Sequence, residues 1–131
     1  MKNREKIPVI IFSVFRKRET FEYNMDVHAT IKNVLLGENI SFKELVGLYE
    51  GVSEMSLLVH AQHEDYVRNL CKQFDQECYL ISNENRDTKL VYLNNTPDMD
   101  IGTLMNVSKV EALTSPGYTY DMDTNQYWIT K

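Results

Sequence analysis

The chain has 131 residues, with 14 Lys and Arg against 19 Asp and Glu, for a net charge of −5. That length suits one hydrophobic core, so residues 1–131 are expected to form a single domain. The acidic balance removes the electrostatic drive for nucleic-acid binding, and the carboxylates are too interspersed with Lys and Arg for an acidic mimic of DNA.

In chain order, Lys2, Arg4 and Lys6 precede an apolar run at 7–15, which imitates a secretory signal. The run leads into Arg16, Lys17 and Arg18 instead of a small-residue cleavage site, and it is shorter than the ~20 residues of a membrane span. A cytoplasmic protein without membrane attachment is therefore expected. Residues 7–15 read as a central strand because apolar side chains occupy both of its faces. From Asn24 or Asp26 as cap, Val27, Ile31, Val34 and Leu35 share one helical face, and Gly37 stands where a helix commonly ends.

A strand is expected at 45–49, followed by a reversal at Gly51, Val52 and Ser53 and a second strand at 54–61. Along that second strand Met55, Leu57, Val59 and Ala61 face one way, and Glu54, Ser56, Leu58 and His60 face the other. His63, Glu64 and Asp65 open a second helix, whose apolar stripe is Tyr66, Val67, Leu70, Cys71 and Phe74. Strands at 77–82 and 89–93 flank a polar hairpin loop. In the tail, Tyr118–Tyr120 and residues 126–129 are placed to pair around 121–125, and this tyrosine-rich segment is expected to pack or to seal an oligomer.

Cys71 and Cys78 form no C-x-x-C pair, and His28, His60 and His63 form no ligand cluster, so no metal and no redox motif are expected. The order strand, helix, strand, strand, helix, strand predicts a ferredoxin-like α+β domain: a βαββαβ sheet with two helices on one face and a C-terminal strand extension. The first strand is apolar on both faces, and the face carrying Glu54 also carries Leu58. A second copy of the chain is expected to cover what two helices leave bare.

Five blocks carry a resemblance to a known family: residues 12–16 (Phe-Ser-Val-Phe-Arg), Asn24-Met25 before a helix, residues 47–59 around Gly-Leu-Tyr, residues 75–78, and Leu90-Val91-Tyr92. Together they resemble the small bacteriophage S-adenosylmethionine lyases, formerly called hydrolases, from Val9 to about Trp128. The resemblance implies a PII-like ferredoxin fold, a homotrimer with ligand sites between subunits, and S-adenosylmethionine as substrate with no cofactor. Tyr49 and Glu54 take the catalytic positions, with Glu50 the alternative acid, and Ser13, Phe15, Arg16, Ser56 and Gln76 become candidate substrate contacts.

The implied reaction needs no external nucleophile. The substrate's own carboxylate attacks its γ-carbon, releasing 5′-methylthioadenosine and closing L-homoserine lactone, while a hydrolase would use Glu54 to activate water. Two other functions fit the same residues: a PII-like trimeric regulator that binds an adenine ligand unchanged, and an inhibitor of a host enzyme that makes or uses S-adenosylmethionine. With no Gly-rich phosphate loop, nothing favours a nucleoside triphosphate.

Overall fold

The structure, a computed structural model, describes residues 6–49 and 51–131, and of Tyr49 only the backbone. The strands are β1 (Val9–Phe12), β2 (Phe42–Tyr49), β3 (Val52–His60), β4 (Cys78–Ser82), β5 (Asp87–Tyr92), β6 (Met99–Val107), β7 (Gly117–Asp121) and β8 (Gln126–Thr130). The α-helices are α1 (Phe21–Gly37), α2 (Glu64–Gln73) and the short α3 (Lys109–Leu113).

The expected order of the first six elements is present, and the expected sheet is not. All eight strands close into one antiparallel barrel in the order β1-β3-β2-β7-β8-β6-β5-β4. This overturns the open ferredoxin-like, PII-like sheet. The edges that β2 and β4 would have exposed pair with β7 and β5, and β8 and β6 complete the circuit, so among the described residues the sheet has no free edge strand. The tail that was read as an extension is one side of the wall. The face carrying Glu54 and Leu58 is covered by the barrel itself, which removes the physical ground on which a second copy was expected.

Alternation along each strand separates two apolar layers. Ile10, Phe12, Leu57, Val59, Tyr79 and Val91 point outward and pack beneath α1 and α2 against Ile31, Leu35, Val67, Leu70 and Cys71. Val9, Ile11, Leu45, Leu58, Leu104 and Trp128 point inward around the barrel cavity. Burial of Cys71 pushes its thiol up to about 12, and both cysteines are unpaired.

Thr20, not Asn24 or Asp26, caps α1, accepting a hydrogen bond from the Tyr23 N–H at 3.1 Å. The buried row of α1 is Asn24, His28, Ile31 and Leu35, and Val34 is exposed. Two polar residues can occupy that row because each has a partner. Asn24 both accepts from and donates to the Arg16 backbone at 3.0 Å, and His28 Nε2 lies 2.7 Å from the Glu44 carboxylate. Through Asn24, the first helix fixes the chain just past the end of β1.

One glycine sits at the bend of β6. Opposite β5, the β6 register slips between Thr88 and Lys89, and Gly102 in the slipped segment has φ +96°. A glycine at positive φ lets a strand bulge and bend, and here the bend brings Thr103 into paired hydrogen bonds with the Lys131 backbone at 2.9 and 3.0 Å.

Candidate functional site at one end of the barrel

Register places Glu54 on the inward face of β3, opposite Gly47 of β2 and two residues before the buried Ser56. The carboxylate is half-buried. Burial raises its pKa above the ordinary carboxylate range, and the positive charge of Lys17 offsets only part of that shift. It also lies close enough to Cys78 of β4 to add to the rise that burial imposes on that thiol.

The segment leaving β1 is tied beside it. The Ser13 hydroxyl donates to the Met55 carbonyl at 2.8 Å and accepts from the Phe15 N–H at 3.0 Å, locking this segment to the strand that carries Glu54. Gln76 Nε2 donates to the Phe15 carbonyl at 2.8 Å. The Phe15 ring is 8 % exposed and packs edge-on against Phe21 and His28, with centroids 5.8 and 6.1 Å apart. The Arg16 guanidinium sits 3.8 Å from Asp75 and 4.0 Å from Glu19, and its buried Nε has no hydrogen-bond partner.

Ser13, Arg16, Glu54, Ser56 and Gln76 therefore gather around one end of the barrel, with different parts to play. Ser13 and Gln76 have their polar atoms engaged by backbone, and Phe15 belongs to the core. Charged side chains gathered there include Arg16 and Lys17, with the Glu54 carboxyl between strand and solvent. Tyr49 ends β2 in the same region, its backbone paired with Val52 and Gly117. Its side chain and all of Glu50 lie outside the described residues.

A cavity of about 390 Å³ occupies another part of the barrel interior, and Glu54 is not among the residues lining it. Its walls are mostly apolar, with Trp128 among them, and its polar groups are Lys43, Arg86, Thr119, Asp121 and Gln126. Lys43 Nζ donates to Asp121 Oδ2 at 2.8 Å, and Asp121 Oδ1 accepts from the Asp123 and Thr124 N–H groups at 3.0 and 3.4 Å. Burial would raise the Asp121 pKa, but hydrogen bonds from Lys43, Thr124 and Asp123 outweigh it and hold the carboxyl below its usual range. Arg86 donates to the Ile7 carbonyl at 2.8 Å.

Sequence reading missed this second set. Lys43 and Asp121 are 78 positions apart, and Trp128 falls in the tail expected to pack or to seal an oligomer. The alternation of Lys43, Leu45 and Gly47 on β2 was the one available signal, and without the barrel it points to no particular surface.

The profile of the S-adenosylmethionine lyase family matches residues 10–131, covering every residue described so far except the first few of the chain. The chain belongs to the S-adenosylmethionine lyase family. A comparison with curated proteins found no match. Burial disfavours the ionised form of the inward Glu54 carboxyl, so a neighbouring positive charge would stabilise it. Among the described residues no group of three or more His, Cys, Asp or Glu is placed to hold a metal ion, and no helix is long and apolar enough to cross a membrane.

Proposed function

We propose that the protein cleaves S-adenosylmethionine to 5′-methylthioadenosine and L-homoserine lactone, with Glu54 and Tyr49 at the reacting end of the substrate. The observation that carries this reading is the half-buried Glu54 carboxylate on the inward face of β3, its pKa raised by burial, in a chain of this family. One substrate carboxylate oxygen bonds to the γ-carbon as the bond from that carbon to sulfur breaks. The electron pair leaves with sulfur, which becomes a neutral thioether, and no proton is transferred.

The enzyme's task is then to fold the substrate. A well-oriented intramolecular reaction gains roughly 7–11 kcal/mol over its bimolecular counterpart; the substrate's own tether supplies part of that, and the enzyme supplies the orientation. Glu54 binds the α-ammonium or the ribose hydroxyls, and Tyr49 orients the cationic end. Carboxylate and sulfonium charges cancel along the reaction, so a poorly hydrated barrel end favours the transition state over the separated charges. Encoded by a bacteriophage, such an enzyme would deplete the methyl donor of its host and counter restriction systems that require it.

Purified protein incubated with S-adenosylmethionine and no added metal is expected to yield 5′-methylthioadenosine by mass spectrometry. In water labelled with heavy oxygen, promptly trapped lactone should carry no label. Labelled homoserine appearing before any lactone would establish water attack, and unchanged ligand that co-purifies would indicate a regulator instead.

The family likeness also supports a homotrimer in which a neighbouring subunit closes over the Glu54 end, where Val52 is 53 % exposed. Light scattering should give three times the 15.4 kDa chain mass. A fully active monomer would remove the subunit interface from the site.

A further inference from the structure

Arg86 closes the turn between β4 and β5 with φ +66°, in the left-handed region where glycine or asparagine fits and a long side chain is strained. The turn itself does not call for arginine. Its backbone carbonyl accepts from the Leu104 N–H at 2.9 Å, a bond that any residue could make. What arginine adds is a guanidinium on the wall of the barrel cavity, tethered through Nη1 to the Ile7 carbonyl at 2.8 Å and, at a longer 3.5 Å, to the Asn83 carbonyl.

The other charges on that wall are already paired. Lys43 and Asp121 neutralise each other at 2.8 Å, and the second oxygen of Asp121 is taken by the Asp123 and Thr124 N–H groups. Arg86 forms no salt bridge among the described residues. Burial holds its pKa below the ordinary guanidinium value, with no neighbouring carboxylate to offset that shift. Its hydrogen bonds all leave from Nη1, so Nε and Nη2, the two donors that can meet a carboxylate side by side, have no partner among the described residues. In a chain of net charge −5, this cavity carries one uncompensated positive charge.

We propose that the barrel cavity is a second ligand site, separate from the Glu54 end, for an organic monoanion with a compact apolar body and a single carboxylate held by Arg86. The rest of the lining suits such a molecule. Its volume of about 390 Å³ falls in the range of small-molecule sites, and Val9, Ile11, Leu58 and Leu104 give it an apolar wall. Strand register sets the reach. Leu104, bonded to the Arg86 carbonyl, pairs with Thr130, and Trp128 lies two residues from Thr130 along β8, or about 7 Å. A carboxylate at Arg86 therefore lays its apolar body beside the indole. One guanidinium balances one negative charge, whereas a dianion would bring a second charge into apolar surroundings with nothing to pair it. The proposal stands apart from the lyase reading, since neither Glu54 nor Tyr49 lines this cavity.

Trp128 is the single tryptophan of the chain, so its fluorescence reports on this wall. Octanoate is the probe, with 1-octanol and octylammonium as its neutral and cationic counterparts. Octanoate should change the emission saturably, raise the melting temperature, and bind about tenfold or more tighter than 1-octanol, with octylammonium weakest. Arg86→Asn removes the guanidinium and suits the positive φ, so it should stay folded and lose about tenfold in octanoate affinity while binding 1-octanol as before. Arg86→Lys, which keeps the charge, should retain part of the affinity. Saturating 5′-methylthioadenosine should leave the octanoate titration unchanged. Absence of a saturable response, octanoate binding no tighter than 1-octanol, or wild-type octanoate affinity in folded Arg86→Asn would overturn the anion site. Displacement of octanoate by 5′-methylthioadenosine would overturn its separation from the Glu54 end, and cleavage of S-adenosylmethionine, measured apart, decides only the lyase reading.

Discussion

Glu54→Gln should fold normally and lose on the order of 10²–10³ in turnover, the usual cost of deleting one preorganised electrostatic contact in an active site. Gln keeps the volume and hydrogen-bonding reach of Glu and deletes the charge, so the loss reports on the charge. Stability should move the other way. Burial raises the folded-state pKa of Glu54, so the folded protein binds its proton more tightly than the unfolded chain does. The resulting stabilisation is full below the unfolded-state pKa and disappears as pH rises through the raised folded-state value. The glutamine variant lacks this titration, so its denaturation midpoint should gain on wild type as pH increases across that window. A purely structural, solvated Glu54 would give neither the activity loss nor the pH-dependent gain. Glu50→Gln is the control, and inactivation by it with Glu54→Gln unaffected would reassign the acid.

Gly102→Ala should destabilise the fold by roughly 2–5 kcal/mol, combining the strain of a Cβ at positive φ with a close clash. At φ +96° an added Cβ would lie 2.7 Å from the Lys131 carbonyl oxygen and 2.8 Å from its carbon, and backbone cannot swing aside as a flexible side chain can. The contact sits where β6 bends to meet β8, so the substitution tests barrel closure as well as local strain. Gly37→Ala provides the comparison, since nothing lies within 4 Å of its Cβ position, and it should be neutral or slightly stabilising. Chemical denaturation of the two variants would measure both. Equal midpoints would mean that β6 and β8 are not joined as described.

Local patterns were legible where a single element explains them. The alternation from Glu54 to His60 separates the helix-facing Leu57 and Val59 from the inward Leu58, and the stripe Val67, Leu70 and Cys71 is the buried face of α2. Pairing of β7 with β8 around 121–125 was also readable from composition. Where a neighbour decides, the reading failed. Asn24 looked like a helix cap and is a buried clamp on Arg16, because only the folded chain places a backbone amide and carbonyl beside its carboxamide. β6 and α3 were not anticipated, since Gly102 interrupts the strand pattern and α3 has only five residues.

By itself the sequence determined the strand and helix order of the first half, the two alternating faces of β3, and the family, because periodicity and short motifs are properties of contiguous residues. Tertiary structure alone decided that the sheet closes. Closure depends on pairings such as β2 with β7, between residues about 70 positions apart, whose hydrogen bonds are the same for any side chain and so leave little mark on composition. The same closure turned the Glu54 face from a surface in need of a partner into a barrel interior. It also brought Lys43, Asp121 and Trp128 to one cavity across a separation that no local pattern encodes.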